Sequence, residues 1–136
     1  MKPLILILTA ALPLCAAPAE GPQEGFWRPQ SATLGGKPLP AEVLKLMSLR
    51  LEGNRYEVKI GAQVNKGTWK LLPGGKVKAM DVTGIEGPNK GKTIPAIVRV
   101  KGGTMSICYG LNGKGPEEFK ADRPDLHLVI YKRQKE

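Results

Sequence analysis

The stretch Gly25-Phe26-Trp27-Arg28 and the closing run from Leu126 to Arg133 bracket the part of the sequence that has a strand-like pattern. Between them, apolar residues recur at every second position in short segments, as they do in strands that bury one face. An aromatic residue in the first strand and a basic residue in the last can together cover one end of a small barrel. We therefore expect Gly25, Trp27 and Arg133 to form a structural clasp, with Lys132 as the alternative to Arg133.

Turn residues separate eight predicted strands at intervals of roughly ten residues, which is typical of all-β proteins. The first runs from Gly25 to Leu34, where Pro29 removes one backbone donor and so indicates an edge position or a bulge. The segment from Arg55 to Ile60 alternates most cleanly. The others are predicted at 48–52, 64–72, 77–83, 93–101, 104–109 and 126–133. This pattern predicts an antiparallel barrel, since closure removes the exposed sheet edges.

One short helix interrupts the strand pattern after the first strand. The segment from Pro40 to Met47 places Val43, Leu44 and Met47 at helical spacing, and proline suits the first turn of a helix. We expect two helical turns here, lying across one mouth of the barrel.

The N-terminus has the pattern of a secretory signal peptide: one lysine, an apolar run from Leu4 to Leu14, and a small-residue end at Ala19. We assign residues 1–19 to this leader and 25–133 to a single barrel domain, exported to the periplasm or the medium. The apolar run is too short for a transmembrane span. Lipid anchoring through Cys15 is the weaker alternative, because Leu14 stands where a lipoprotein signal needs a small residue.

The sequence has 136 residues and a formal net charge of +9, and removing Lys2 with the leader would leave +8. The basic residues are spread along the chain, which favours loose attraction to anionic polymers or membrane surfaces. Because no aromatic and basic stripe accompanies them, we expect no specific nucleic-acid binding. Lys90 and Lys92 share one loop, for which weak attraction of an anion is one expectation and plain solvation the other.

Several sequence blocks, read in order, resemble a known family. They are Gly25-Phe26-Trp27, the segments 36–42 and 51–56, Gly67-Thr68-Trp69-Lys70-Leu71, the loop Gly87-Pro88-Asn89-Lys90-Gly91-Lys92-Thr93, and Ile107-Cys108-Tyr109. Together they resemble a small exported lipocalin-like domain that occurs in many copies in planctomycetes and related bacteria. The resemblance covers residues 25–133. It implies an eight-stranded lipocalin or calycin-like β-barrel and export, but no established biochemical role. Pro29 and Trp69 depart from the family pattern.

The residue types that carry catalysis and metal binding are sparse. His127 is the only histidine, so no ordinary metal-ligand set is expected; a strand residue with a hydrogen bond is the plainer interpretation. Cys108 lies in an apolar strand and is expected to be buried and inert. Gly91-Lys92-Thr93 is not a phosphate loop, because that motif needs glycine at position 86, where Glu86 stands. We therefore predict no enzyme activity and no cofactor.

The remaining candidate site is the interior of the barrel. Eleven residues are predicted to face it: Tyr56, Val58, Ile60, Trp69, Leu71, Met80, Val82, Val98, Met105, Ile107 and Tyr109. They could fill the barrel as a packed core or line a cavity for a small hydrophobic or amphipathic ligand. Ligand binding without catalysis is our first hypothesis. The second is an adhesion or interaction domain whose basic exterior binds anionic envelope polymers or a partner protein. Under either hypothesis we expect a monomer by default.

Overall fold

A computed structural model of the protein describes residues 21–135. The predicted leader and Cys15 lie outside these residues. A 3-10 turn at Gly21–Gln23 precedes nine strands and one helix: β1 Gly25–Leu34, β2 Lys37–Pro38, α1 Ala41–Leu44, β3 Met47–Glu52, β4 Arg55–Ile60, β5 Gln63–Leu71, β6 Lys78–Glu86, β7 Thr93–Lys101, β8 Thr104–Gly110 and β9 Leu126–Gln134.

Eight of the strands close into an antiparallel barrel, which confirms the predicted fold class. From β3 to β9 each strand pairs with the next one along the chain, and β1 closes the ring by pairing with both β3 and β9. The ninth strand, β2, is a two-residue addition that pairs only with the end of β1.

Pro29 marks the irregular point of the seam between β1 and β9. Pairing runs from Phe26 with Gln134 to Leu34 with His127, but its register shifts between Pro29 and Ser31. A proline has no N–H to donate to the ladder, so an extra residue is accommodated beside it as a bulge. Of the two alternatives considered for Pro29, the bulge is therefore the one observed.

The helix is shorter than predicted. α1 covers only Ala41–Leu44, because Met47 pairs with Ile60 and already belongs to β3. The helix lies at the barrel end where β1 finishes and β3 begins, and Leu44 packs against the core. The prediction of two helical turns was therefore wrong in length, because the helix has four residues. None of these residues lines the cavity described below.

The loop from Leu111 to Asp125 covers the outer face of β7 and β8. Its Ala121 is buried, and its Phe119 ring lies 4.3 Å from the guanidinium carbon of Arg99. Under this loop lies Cys108, whose thiol donates to the carbonyl of Lys120 at 3.2 Å. Burial raises the pKa of the Cys108 thiol, which disfavours the reactive thiolate. Cys108 is thus buried, as predicted, but on the outside of the barrel.

Gly67 allows β5 to pass unusually close to its neighbours. A Cβ atom at this position would collide with the carbonyl oxygen of Thr83 and would lie 2.7 Å from the ring of Tyr56. The register between β5 and β6 also shifts between Lys66 and Gly67. Glycine is therefore required here by contact with backbone rather than by its own backbone angles.

We predict that Gly67→Ala lowers the free energy of unfolding by about 1–3 kcal/mol, the usual range for overpacking. Gly103→Ala is the matched control, because a Cβ at Gly103 meets nothing within 4 Å. It should change stability by no more than about 0.5 kcal/mol. Urea unfolding followed by circular dichroism measures both, and equal losses would contradict the assignment.

Candidate functional site

One end of the barrel is sealed by Arg133 and Trp27. The guanidinium carbon of Arg133 lies 4.3 Å from the centre of the Trp27 ring, and Trp27 is fully buried. Arg133 donates from Nη1 to the carbonyl of Glu24 and from Nη2 to that of Pro22, each at 2.6 Å. The indole Nε1 of Trp27 donates to the carbonyl of Gln23 at 3.0 Å. The 3-10 turn and the two terminal strands are thereby joined.

Gly25 makes room for this clasp. Its φ of +132° lies in the region that favours glycine, and a Cβ there would lie 2.6 Å from Nη1 of Arg133. The structure therefore places the three predicted clasp residues together. Lys132, the alternative, pairs instead with Arg28 along the seam and is exposed.

We predict that Arg133→Met lowers the free energy of unfolding by about 1–3 kcal/mol, because charge-assisted hydrogen bonds and the contact with Trp27 are lost together. Lys132→Met, one residue earlier on the same strand, should cost no more than about 0.5 kcal/mol. Urea denaturation monitored by tryptophan fluorescence reports on both. A loss as large in Lys132→Met as in Arg133→Met would show that charge alone, and not the clasp, stabilises the seam.

The opposite half of the barrel contains a cavity of about 170 Å³ that is partly open to solvent. Its outer rim includes Asn89 and Leu111, which belong to the loops after β6 and β8, and it reaches inward past Tyr56 to Tyr131. The residues that line it are Met47, Leu49, Leu51, Tyr56, Val58, Ile60, Asn65, Trp69, Met80, Val82, Asn89, Ile94, Ile107, Tyr109, Leu111, His127, Val129 and Tyr131.

The structure divides the eleven predicted interior residues between this cavity and a packed core. Eight of them line the cavity, whereas Leu71, Val98 and Met105 do not. These three lie close to the clasp: Leu71 ends β5, Val98 pairs with the first residue of β6, and Met105 is the second residue of β8. Val98 and Met105 are buried and Leu71 is half-buried, so both interpretations of the interior apply, each to part of the barrel.

Sequence reasoning missed ten lining residues. Some have a clear signal: Leu49 and Leu51 alternate along β3, and Asn65 stands at same-face spacing from Gly67 and Trp69 on β5. Asn65 was passed over because it is polar, and a pattern based on apolar residues cannot select it. Asn89 lies in a loop, where no periodicity exists to place it.

His127 was predicted to be a strand residue with a hydrogen bond. It lies on β9 and lines the cavity, but its Nε2 atom makes no hydrogen bond. This atom is buried and has no partner, while the imidazole ring stands 5.7 Å from the ring of Tyr109, its cross-strand neighbour. Burial lowers the pKa of His127, because the charged imidazolium loses its hydration. The side chain is therefore neutral at neutral pH.

Three tyrosines lie within the same cavity. Burial raises the pKa of Tyr109 well above its ordinary value and that of Tyr131 to about 12. Burial also raises the pKa of Tyr56. All three hydroxyls therefore keep their protons at neutral pH.

The lowered pKa of His127 predicts a specific acid sensitivity. The unfolded chain protonates this histidine near its ordinary pKa of about 6.5, while the folded protein does so only at lower pH. The unfolded state thus binds more protons in that window, and stability falls as pH decreases from about 6.5 towards the folded-state pKa.

We predict that the urea midpoint of the wild type falls more between about pH 7.5 and about pH 5 than that of His127→Phe, which cannot titrate. The difference between the two proteins removes the contribution of the carboxylates, which both share. Identical changes in the two midpoints would contradict a buried neutral His127.

The loop with Lys90 and Lys92 lies at the open end, and both lysines are exposed. Its backbone is closed on itself: the N–H groups of Lys90, Gly91 and Lys92 donate to the carbonyls of Gly87, Gly84 and Asn89. Hydrogen bonds within the loop therefore use these three N–H groups. The lysine side chains alone remain available.

Other features of residues 21–135 limit what the site can do. They contain no group of three or more histidine, cysteine, aspartate or glutamate residues suited to holding a metal ion. In the same range, no helix has the length and apolar character needed to cross a membrane. The class that the geometry defines is a closed, eight-stranded antiparallel barrel with an open, largely apolar cavity. Comparisons with protein-family models, with curated proteins and with solved structures find no match.

Proposed function

We propose that this protein is an exported, lipocalin-like binding protein that holds one small amphipathic molecule in the open half of its barrel and does not transform it. The observation that carries the proposal is the cavity itself, which coexists with buried, packed side chains next to the clasp. A barrel that served only as a stable scaffold would be expected to fill both halves.

The size of the cavity restricts its occupant. A cavity of about 170 Å³ is slightly larger than the apolar cavity of roughly 150 Å³ that accommodates benzene in an engineered protein. It is smaller than the sites of about 300–1,000 Å³ that bury drug-sized molecules. One ring or a short chain fits inside, and any longer portion would extend through the mouth.

Binding without chemistry is proposed because the two reactive side chains are separated by the barrel wall. His127 lines the cavity, whereas the thiol of Cys108 lies on the outer face under the loop from Leu111 to Asp125. A histidine base and a cysteine nucleophile must be within hydrogen-bond reach to act together. These two cannot.

The second hypothesis, a basic interaction surface, has weaker support. Lys90 and Lys92 are exposed at the mouth, but some of the other basic residues lie beside carboxylates. Glu57, for example, lies 3.7 Å from Lys66 and 4.0 Å from Lys59. The outer groove over β3, β4 and β5 mixes three basic with three acidic side chains. Exposed pairs of this kind leave little net attraction for a polyanion.

Toluene binding measured by NMR titration tests the proposal. We expect Val82→Trp, which fills the cavity, to weaken the affinity by about tenfold or more. Val77→Trp is the matched control, since Val77 lies just before the same strand, at the packed end, and does not line the cavity. It should bind as the wild type does. If the folded wild type binds neither toluene nor its polar counterpart phenol, the proposal is overturned, and a ligand found by native mass spectrometry would identify the natural occupant.

A further inference from the structure

The exposed large apolar side chains of residues 21–135 are concentrated at one end of the barrel. There are five of them, namely Leu34, Leu46, Val77, Ile85 and Leu111. Leu34 ends β1, and Leu46 directly precedes β3; Ile85 is the last residue but one of β6, and Leu111 directly follows β8. Because neighbouring strands are antiparallel, these four positions share the end at which the cavity opens. Val77, just before β6, lies at the clasp end instead.

Three of these residues, Leu34, Leu46 and Leu111, are next to the cavity lining, and we call them the rim leucines. Leu111 itself lines the cavity, although 45 % of its surface is exposed. Leu34 pairs across the seam with His127, and Leu46 is joined to Met47, both of which line the cavity. Single exposed leucines are common, but a group of them around the opening of an apolar site indicates an interaction surface.

Lysines accompany the rim leucines at this end. The connection between β1 and β3 carries Lys37 and Lys45, and the connection between β6 and β7 carries Lys90 and Lys92; all four are exposed. Glu42 is the one acidic residue in these two connections, so four positive charges against one negative leave a formal charge of +3. The chemistry of this end is therefore apolar and basic together.

The acidic residues near this end do not cancel that charge at the opening. Glu86 lies in the outer groove and is the cross-strand neighbour of Lys66. The loop from Leu111 to Asp125 has four acidic and three basic residues, and two of its carboxylates are in ion pairs within the loop. Beyond Leu111 it folds over the outer face of β7 and β8, where the carbonyl of Lys120 meets the thiol of Cys108.

A combination of exposed leucines and lysines is complementary to the surface of an anionic lipid bilayer. Leucine side chains gain free energy by entering the boundary between headgroups and acyl chains. Lysines reach from the same surface to the lipid phosphates, with their methylene stems along the apolar layer. The cavity opens between these groups, and at about 170 Å³ it is too small to enclose more than one end of a longer amphipathic molecule.

Resting on the proposed function, we infer that the open end of the barrel docks on an anionic lipid bilayer, with the rim leucines in the interface and the lysines against the lipid phosphates. The mouth then faces the phase in which an amphipathic molecule dissolves, so the ligand passes between bilayer and cavity without crossing water. Docking through a few side chains is reversible, because both the buried apolar area and the number of charges are small.

Flotation with lipid vesicles tests this inference. We expect the protein to bind vesicles made of phosphatidylglycerol and phosphatidylcholine in equal parts, and to show no measurable binding to phosphatidylcholine alone. Raising the salt concentration from about 0.1 M to about 1 M should weaken binding, because the Debye length falls from about 10 Å to about 3 Å.

Leu46→Ser tests the rim leucines without changing charge or the cavity lining. Leu46 is the most exposed of them, at 57 %, and its replacement should weaken binding to the anionic vesicles by about fivefold. Val77→Ser is the matched control, since Val77 is also an exposed apolar residue but lies at the opposite end of the barrel. It should bind as the wild type does. Circular dichroism confirms that each variant is folded.

A double variant, Lys90→Ser with Lys92→Ser, tests the charge at the open end. It should weaken binding by about tenfold or more, since each lysine near an anionic surface contributes. The control, Lys76→Ser with Lys78→Ser, removes the same charge at the same spacing from the clasp end, where both lysines are exposed. It should weaken binding by no more than about twofold.

The outcomes separate this inference from the proposed function. No binding to anionic vesicles, or losses as large in the controls as in the variants of the open end, overturns the inference; toluene or phenol binding measured without vesicles then leaves the proposed function intact. A dimer in sedimentation velocity that Leu46→Ser dissociates would show that a second copy covers the rim leucines, which also overturns the inference. Vesicle binding as expected, with neither toluene nor phenol bound, overturns the proposed function and the transfer of a ligand, while the docking itself stands.

Discussion

The contact between Arg133 and Trp27 is the interaction on which the architecture depends. It joins the last strand to the first at the point where the sheet must close. The two hydrogen bonds from Arg133 to backbone carbonyls also hold the 3-10 turn against this end of the barrel. A guanidinium is suited to this position because its planar fork donates to two carbonyls while its face lies on the indole. Gly25 supplies the space that the fork requires, so a short motif and a residue more than a hundred positions later act as one unit.

Closure at this end has consequences for the rest of the barrel. Trp27, Val98 and Met105 are almost entirely buried, and together they form a dense half that the clasp covers. The other half therefore does not have to supply the whole apolar core. It can retain a cavity and unpaired polar atoms, both of which reduce stability, because the packed half, the seam between β1 and β9 and the clasp hold the fold together. The packed core and the cavity are thus separated along the barrel axis.

The sequence predicted the fold well and the site only in part, for reasons that can be traced to particular residues. Alternating patterns such as Tyr56, Val58 and Ile60 indicate which face of a strand is buried. These patterns were sufficient to predict eight strands and a barrel. They could not show that Val98 would be packed and Val82 would line a cavity, since both alternate in the same way. Whether an inward-facing residue is packed or lines the cavity depends on its position along the barrel axis, which is set by strand register. The helix was overestimated for a similar reason: Val43, Leu44 and Met47 fit helical spacing, but the pairing of Met47 with Ile60 prevailed.

The polar residues of the cavity distinguish it from a purely apolar barrel interior, and the apolar pattern of the sequence cannot identify them. Phenylalanine or leucine in place of Trp69, Asn65 or His127 would suit an apolar barrel interior without leaving a donor or acceptor unpaired. An indole N–H can donate a hydrogen bond but cannot accept one, so Trp69 leaves a buried donor unpaired at a position where an apolar ring would leave none.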